Sequence, residues 1–159
     1  MKVLLINGSP KEKGNTAQAL GEVAATLHAE GIETVTVNIG KKAVQGCIAC
    51  GMCGRIGKCT FNDDLYYKIW QTVKSGIDGL VVGSPVYYGG PNGSLCALLD
   101  RVFYTLGPDL QYKRGGMPPR RRLGSLRPSE QIFHDYEHAG GQFAILEYGL
   151  RSDTRAGSP

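Results

Sequence analysis

Apolar and polar positions along this chain fall into alternating blocks. Lys2-Val-Leu-Leu-Ile-Asn7 is a continuous apolar run of strand length, and Ala17 to Ala29 carries a helical pattern. Gly31 supplies a helix stop before Glu33-Thr-Val-Thr-Val-Asn-Ile39, whose β-branched residues predict a second strand. A Gly- and Cys-rich stretch from Gly40 to Thr60 follows. Asp63-Asp64 then opens a second helix with Leu65, Ile69, Trp70 and Val73 on one face, and Gly76 follows its last turn. Gly79-Leu-Val-Val-Gly83 predicts a short buried strand, Ser84 to Gly93 a loop, and Ser94 to Thr105 a third helix. Strand and helix in alternation predict an α/β fold, a doubly wound parallel sheet with right-handed crossovers. Ligands in such sheets bind outside the carboxyl ends of the strands, where the loops after the first and third strands lie.

Those two loops carry the chemistry. Gly8-Ser-Pro-Lys-Glu-Lys-Gly-Asn-Thr16 leads straight into a helix, whose first N–H groups are unpaired and carry partial positive charge. Ser9, Asn15 and Thr16 add side-chain donors and Gly14 lets backbone approach, so the loop reads as an anion cradle. It is not the loop of an NTPase, because Asn15 rather than Lys precedes Thr16; the plainer reading is a Ser/Thr-capped βα turn. Ser84-Pro-Val-Tyr-Tyr-Gly-Gly-Pro-Asn-Gly93 offers flat Tyr87 and Tyr88 rings beside glycines, a surface for a planar, polar-edged ring. It lacks the dinucleotide fingerprint spacing, and taken alone it is an ordinary turn.

Composition narrows the class. With 159 residues one domain with a real core is expected. No apolar run approaches the roughly 18 residues of a membrane span, and Met1 to Gly8 is too short for a signal peptide, so a cytoplasmic protein without membrane partners is expected. The net charge of +4 is uneven: up to Lys113 there are nine Lys and two Arg, and beyond it no Lys and seven Arg, including Arg120-Arg121-Arg122. That run has no nucleic-acid motif around it and reads as a solvated tail. His28, His134 and His138 form no hydrolase arrangement, and Asp63-Asp64 reads as a helix cap rather than an acid–base pair.

Gly8-Ser-Pro-Lys-Glu-Lys-Gly-Asn-Thr16, Gly83-Ser-Pro-Val-Tyr-Tyr-Gly89 and Leu99-Asp-Arg-Val-Phe103 together resemble the NADPH-dependent FMN reductase and iron–sulfur flavoprotein family over about residues 1–113. The resemblance implies a flavodoxin-like fold and an FMN-dependent oxidoreductase or electron-transfer flavoprotein. It places Ser9, Lys11, Asn15 and Thr16 at the FMN phosphate, and Pro85, Val86, Tyr87, Tyr88 and Gly89 at the isoalloxazine. The flavin would carry the chemistry, with no catalytic side chain, NAD(P)H as co-substrate, and a small molecule or protein as electron acceptor. It also implies a homodimer or tetramer.

Cys47, Cys50, Cys53 and Cys59 put three thiols on one tight loop and a fourth a few residues on. That geometry can wrap a [4Fe–4S] cluster and resembles the compact motif of iron–sulfur flavoproteins. Structural zinc and metal-free redox thiols remain alternatives. Cys96, in the third helix pattern, reads as a small buried hydrophobe.

After Lys113 the family pattern stops at Arg114-Gly-Gly-Met-Pro-Pro-Arg-Arg-Arg122, where two more strands are expected. Back-translated and read one base later, Gln131-Ile-Phe-His-Asp-Tyr-Glu-His138 permits Lys-Tyr-Phe-Thr-Ile-Met-Ser-Met, and Phe143 to Leu150 permits Ser-Gln-Tyr-Trp-Asn-Met-Val. Both resemble the family's C-terminal segment. The expectation is an FMN-binding domain over 1–113 with a Cys-rich loop at 46–60, then an aberrant, frameshifted tail over 114–159 that leaves the last two strands missing or replaced. A genuine divergent tail, in which Gly141 to Tyr148 supplies one strand, is the alternative, and a flavin-free remnant or Cys-loop metal-binding module is the alternative function.

Overall fold

The first strand, β1 (Lys2–Asn7), lies between two parallel neighbours, β2 (Glu33–Asn38) and β3 (Gly79–Tyr87). The structure, a computed structural model, describes residues 1–87, 90–110 and 145–148. Registers run from Lys2 opposite Glu33 to Asn7 opposite Asn38, and from Val3 opposite Gly79 to Asn7 opposite Gly83. All three strands end on the same edge of the sheet, the edge on which an α/β protein binds its ligand.

Because alternate residues of a strand face opposite ways, the apolar run of β1 serves two cores. Leu4 and Ile6 pack with Val37, Leu80, Val82 and the inner faces of α3 (Asp64–Lys74) and α4 (Gly93–Leu110). Val3 and Leu5 pack on the other face against Leu20, Val23 and Leu27 of α1 (Asn15–Ala29). A sheet covered on both faces is the doubly wound arrangement expected, and the expected helices are present. Between β2 and α3 a single turn, α2 (Cys53–Ile56), interrupts the Cys-rich stretch. Asp63 is the N-cap of α3, its carboxylate accepting the Tyr66 N–H at 3.0 Å.

One expectation changes, and one alternative is taken up. The third strand does not stop at Gly83: Ser84 to Tyr87 continue it, and Val86 and Tyr87 pair antiparallel with β4 (Gly90–Pro91). Pro85 is tolerated because β3 there outruns β1 and its register partner is on one side only, Tyr148. That partner belongs to β5 (Ile145–Tyr148), which runs parallel to β3 with Val82 opposite Ile145. The tail therefore supplies a strand, and β3 is flanked on both sides at Val82 and Gly83 rather than left as a sheet edge. The remaining residues of 111–159 lie outside the described residues.

Candidate functional site

At the end of β1, Asn7 is buried and divides its side chain between the end of β2 and the loop after β1. Its Nδ2 donates to Asn38 Oδ1 at 2.9 Å, and its Oδ1 accepts the Ser9 N–H at 3.0 Å. Ser9 is buried in turn and its Oγ accepts the Lys11 N–H at 3.1 Å. These bonds shape the Gly8–Thr16 turn from within and leave its outer side open.

The N-cap of α1 is Gly14, with no side-chain cap, so among the described residues the first N–H groups of the helix have no acceptor. Thr16 is buried, and its hydroxyl has no hydrogen-bond partner among the described residues. Such a polar atom beside an open helix N-terminus fits an anion, since a buried donor without an acceptor costs about 1–3 kcal/mol. Asn15 and Lys11 are exposed on the same loop. The four residues expected at a phosphate thus share one turn.

The second loop is braced against the first. The Gly8 N–H donates to the Gly83 carbonyl at 2.7 Å, and a Cβ at Gly8 would stand 2.8 Å from that oxygen and 2.5 Å from Leu95 Cδ2. Asn92 donates through Nδ2 to the Gly8 carbonyl at 2.7 Å, and through its N–H to Ser84 Oγ at 3.0 Å. Pro85 is buried, Val86 partly so, and Tyr87 exposed; Tyr88 and Gly89 lie outside the described residues. Asn7, Ser84 and Asn92 were not singled out from the sequence, although all three belong to or adjoin the two loops.

Cys47, Cys50, Cys53 and Cys59 are free and line one cavity together with Arg101 and Thr105. The loop is tightly turned, with positive φ at Ala49, Gly51 and Gly57. Among the described residues no three His, Cys, Asp or Glu groups are already gathered for a metal ion. Four sulfur donors on one cavity nevertheless match the donor set of an iron–sulfur cluster. Arg101, also not singled out from the sequence, is fully buried here, and its Nε donates to Cys59 Sγ at 3.4 Å. Its Nη2 lies 2.6 Å from Asp63 Oδ2. Burial pushes the Asp63 carboxyl up, but the Tyr66 N–H and Arg101 outweigh it and hold the group below its ordinary range. The only sequence signal for Arg101 was its place in Leu99-Asp-Arg-Val-Phe103.

A family profile described as NADPH-dependent FMN reductase matches residues 1–148, continuing past the expected limit at 113. An iron–sulfur flavoprotein of Methanocaldococcus jannaschii is 40% identical over 139 residues, covering 86% of this chain and 71% of that protein. An iron–sulfur flavoprotein of Methanosarcina thermophila is 30% identical over 153 residues, covering 91% of this chain and 77% of that protein. RosB, solved with bound 8-demethyl-8-formylriboflavin-5'-phosphate, shares the fold with a TM-score of 0.60 at 14% identity, covering 100% of this chain and 67% of that one. A flavone reductase structure gives 0.52 at 18% identity, over 94% of this chain and 43% of its own. A profile spanning nearly the whole chain, with a relative this similar over most of both lengths, establishes that the chain belongs to the NADPH-dependent FMN reductase and iron–sulfur flavoprotein family.

Proposed function

We propose that this FMN-dependent oxidoreductase takes electrons from NAD(P)H or from an iron–sulfur cluster and passes them to a small-molecule or protein acceptor. Family membership supports the flavin and the redox class. The observation that carries the reading is the buried Thr16 hydroxyl, without a partner among the described residues, at the start of α1 on a loop bonded directly to β3. FMN, when bound, supplies the electron-carrying ring, and a cluster supplies one-electron storage.

The residues have separate tasks in this reading. Ser9, Lys11, Asn15 and Thr16 hold the phosphate, with the α1 N–H groups supplying fixed partial charge. Pro85, Val86, Tyr87, Tyr88 and Gly89 lie along the ring, whose orientation follows from the Gly8–Gly83 and Gly8–Asn92 bonds. Cys47, Cys50, Cys53 and Cys59 hold the cluster, a reading the names of the relatives support. Thiols of this kind belong in a reducing compartment such as the cytoplasm. No helix among the described residues is long and apolar enough to cross a membrane. A homodimer or tetramer is the expected assembly.

The anaerobic absorption spectrum of purified protein tests both groups at once. Paired flavin bands with a broad shoulder, one FMN, and iron with acid-labile sulfide are expected, and replacing any of the four cysteines by Ala should remove the iron while FMN stays. Protein that binds no FMN after reconstitution overturns the reading, and stoichiometric zinc overturns the cluster alone. Bleaching by NADH or NADPH identifies the donor.

A further inference from the structure

Arg101 is among the largest fully buried side chains in the molecule, and its contacts lie toward the Cys loop rather than the flavin loops. A guanidinium does not shed its proton, so a charge is buried there and must be paired. Nη1 donates to the Gln45 carbonyl at 3.1 Å, Nη2 donates to the Phe61 carbonyl, and Cζ stands 4.9 Å from the centroid of the Tyr66 ring. Tyr66 closes the circle: its hydroxyl accepts the Cys59 N–H at 2.9 Å and donates to Thr105 Oγ1 at 2.9 Å, and Thr105 donates to the Arg101 carbonyl at 2.8 Å.

Cys59 is therefore held at two points, backbone and sulfur. The other three thiols are placed differently. Among the described residues Cys47 Sγ accepts only the Ala49 N–H at 3.4 Å, Cys50 Sγ lies 4.0 Å from Thr60 Oγ1, both on the exposed part of the loop, and Cys53 is half-buried. Among the described residues, Cys59 alone has a buried cation against its sulfur.

We propose that Arg101 is a positioning residue for Cys59 and that its charge raises the reduction potential of a cluster held by the four thiols. This rests on the cluster reading above. One-electron reduction, from the electrode in the test below, would add one negative charge to a cluster held there, and the fixed Arg101 cation with its N–H···S bond to Cys59 would favour that form over the oxidised one. Asp63, 2.6 Å from the guanidinium, partly cancels the field. The two side chains should act with opposite sign.

The test uses the full chain with Arg101→Gln, Arg101→Lys and Asp63→Asn. Asn is as good an N-cap as Asp, so the start of α3 survives that change. After anaerobic reconstitution, the cluster midpoint is measured by spectroelectrochemistry with the flavin midpoint as internal reference. Arg101→Gln should shift the cluster negative, Asp63→Asn should shift it positive, and Arg101→Lys, which keeps the charge but loses the planar fork, should fall between wild type and Gln. Before reconstitution, hydrogen exchange of the amides from Cys59 to Phe61 should accelerate in both Arg101 variants while β1 and α1 stay protected. Shifts of the same sign for Gln and Asn, or no shift, overturn the electrostatic role; unchanged exchange overturns the positioning role. If Arg101→Gln does not fold, Asp63→Asn decides the electrostatic role by the sign of its shift. Wild-type protein that takes up no iron overturns the cluster reading and the claim on its potential, while exchange still decides whether Arg101 positions Cys59.

Discussion

The side-chain amide of Asn92 donates to the carbonyl oxygen of Gly8 at 2.7 Å, across 84 positions of sequence. Its Oδ1 accepts the Ser94 N–H at 3.1 Å, so one carboxamide joins the turn after β1 to the first turn of α4. With the Asn92 N–H on Ser84 Oγ, three chain segments meet at one residue. The two loops are thereby kept in one geometry, which in the proposed reading lowers the ordering required when FMN binds across them.

Asn92→Ala removes a donor and an acceptor at once and leaves the buried Gly8 carbonyl unpaired, a loss of about 1–3 kcal/mol. The expected outcome is a lower denaturant midpoint and weaker FMN binding together. Asn92→Asp should be worse for binding, because an acceptor would then face the Gly8 carbonyl. Chemical denaturation and equilibrium dialysis against FMN measure the two effects separately. An Asn92→Ala protein with unchanged affinity would show that the loops keep their relationship without this bond.

How far the site was legible follows from the range of the interactions involved. The cradle could be read because an apolar strand, a Gly/Ser/Asn/Thr turn and a helical pattern are contiguous between Lys2 and Ala29. The thiols could be read because their spacing is local. Arg101 could not, since its partners Gln45, Cys59, Phe61 and Asp63 precede it by 38 to 56 residues and only the packing of α4 brings it to them. The extension of β3 was missed for a different reason: Ser84-Pro85 looks like turn chemistry, and β5, which pairs with it, is remote in sequence.

Thr16→Ala isolates the hydroxyl from the rest of the turn. Its methyl carbon lies close to Gly83, where a Cβ would meet it at 2.9 Å, so Thr16→Val keeps that contact and removes only the oxygen. Both variants should bind FMN more weakly, by about 1–3 kcal/mol, while the flavin-free protein should be no less stable with Thr16→Val and less stable with Thr16→Ala than with Thr16→Val, since only Ala loses the methyl contact. Dialysis and thermal melts on the same samples distinguish the loss of a phosphate donor from a packing defect. Equal affinity in wild type and Thr16→Val would remove the hydroxyl from the phosphate site.

Asp63 gives a pH dependence whose sign is determined. Its folded-state pKa lies below the ordinary carboxylate value of about 4, so the unfolded chain binds more protons on acidification. The stabilisation is present above that value and is lost as the pH falls through the lower, folded one. Asp63→Ala should therefore destabilise the protein at neutral pH, by about 1 kcal/mol for the lost N-cap and more for the uncompensated Arg101, with the gap narrowing below pH of about 4. Denaturant unfolding at a series of pH values measures it. A gap independent of pH would mean that the carboxylate contributes only as an uncharged acceptor.

The tail gives the last expected outcome. On the α1 face of the sheet, the described residues contribute only Val3, Leu5 and Leu20 to the buried core, against sixteen on the α3 and α4 face. β5 adds four residues of strand to β3. We propose that the neighbouring reading frame after Lys113 encodes a longer version of this strand and the cover for that thinner face. Each 100 Å² of apolar surface so covered is worth about 2.5 kcal/mol, which is large against a typical stability of 5–15 kcal/mol. A chain carrying the shifted frame should melt at a higher temperature and retain more FMN through gel filtration than the 159-residue chain. Sequencing the coding nucleotides comes first: codons that do not encode Lys-Tyr-Phe-Thr-Ile-Met-Ser-Met one base out of register with Gln131 to His138 end the frameshift explanation. If they do encode it and the given chain nevertheless melts cooperatively with one FMN per subunit, the shifted frame is not needed for a folded flavoprotein.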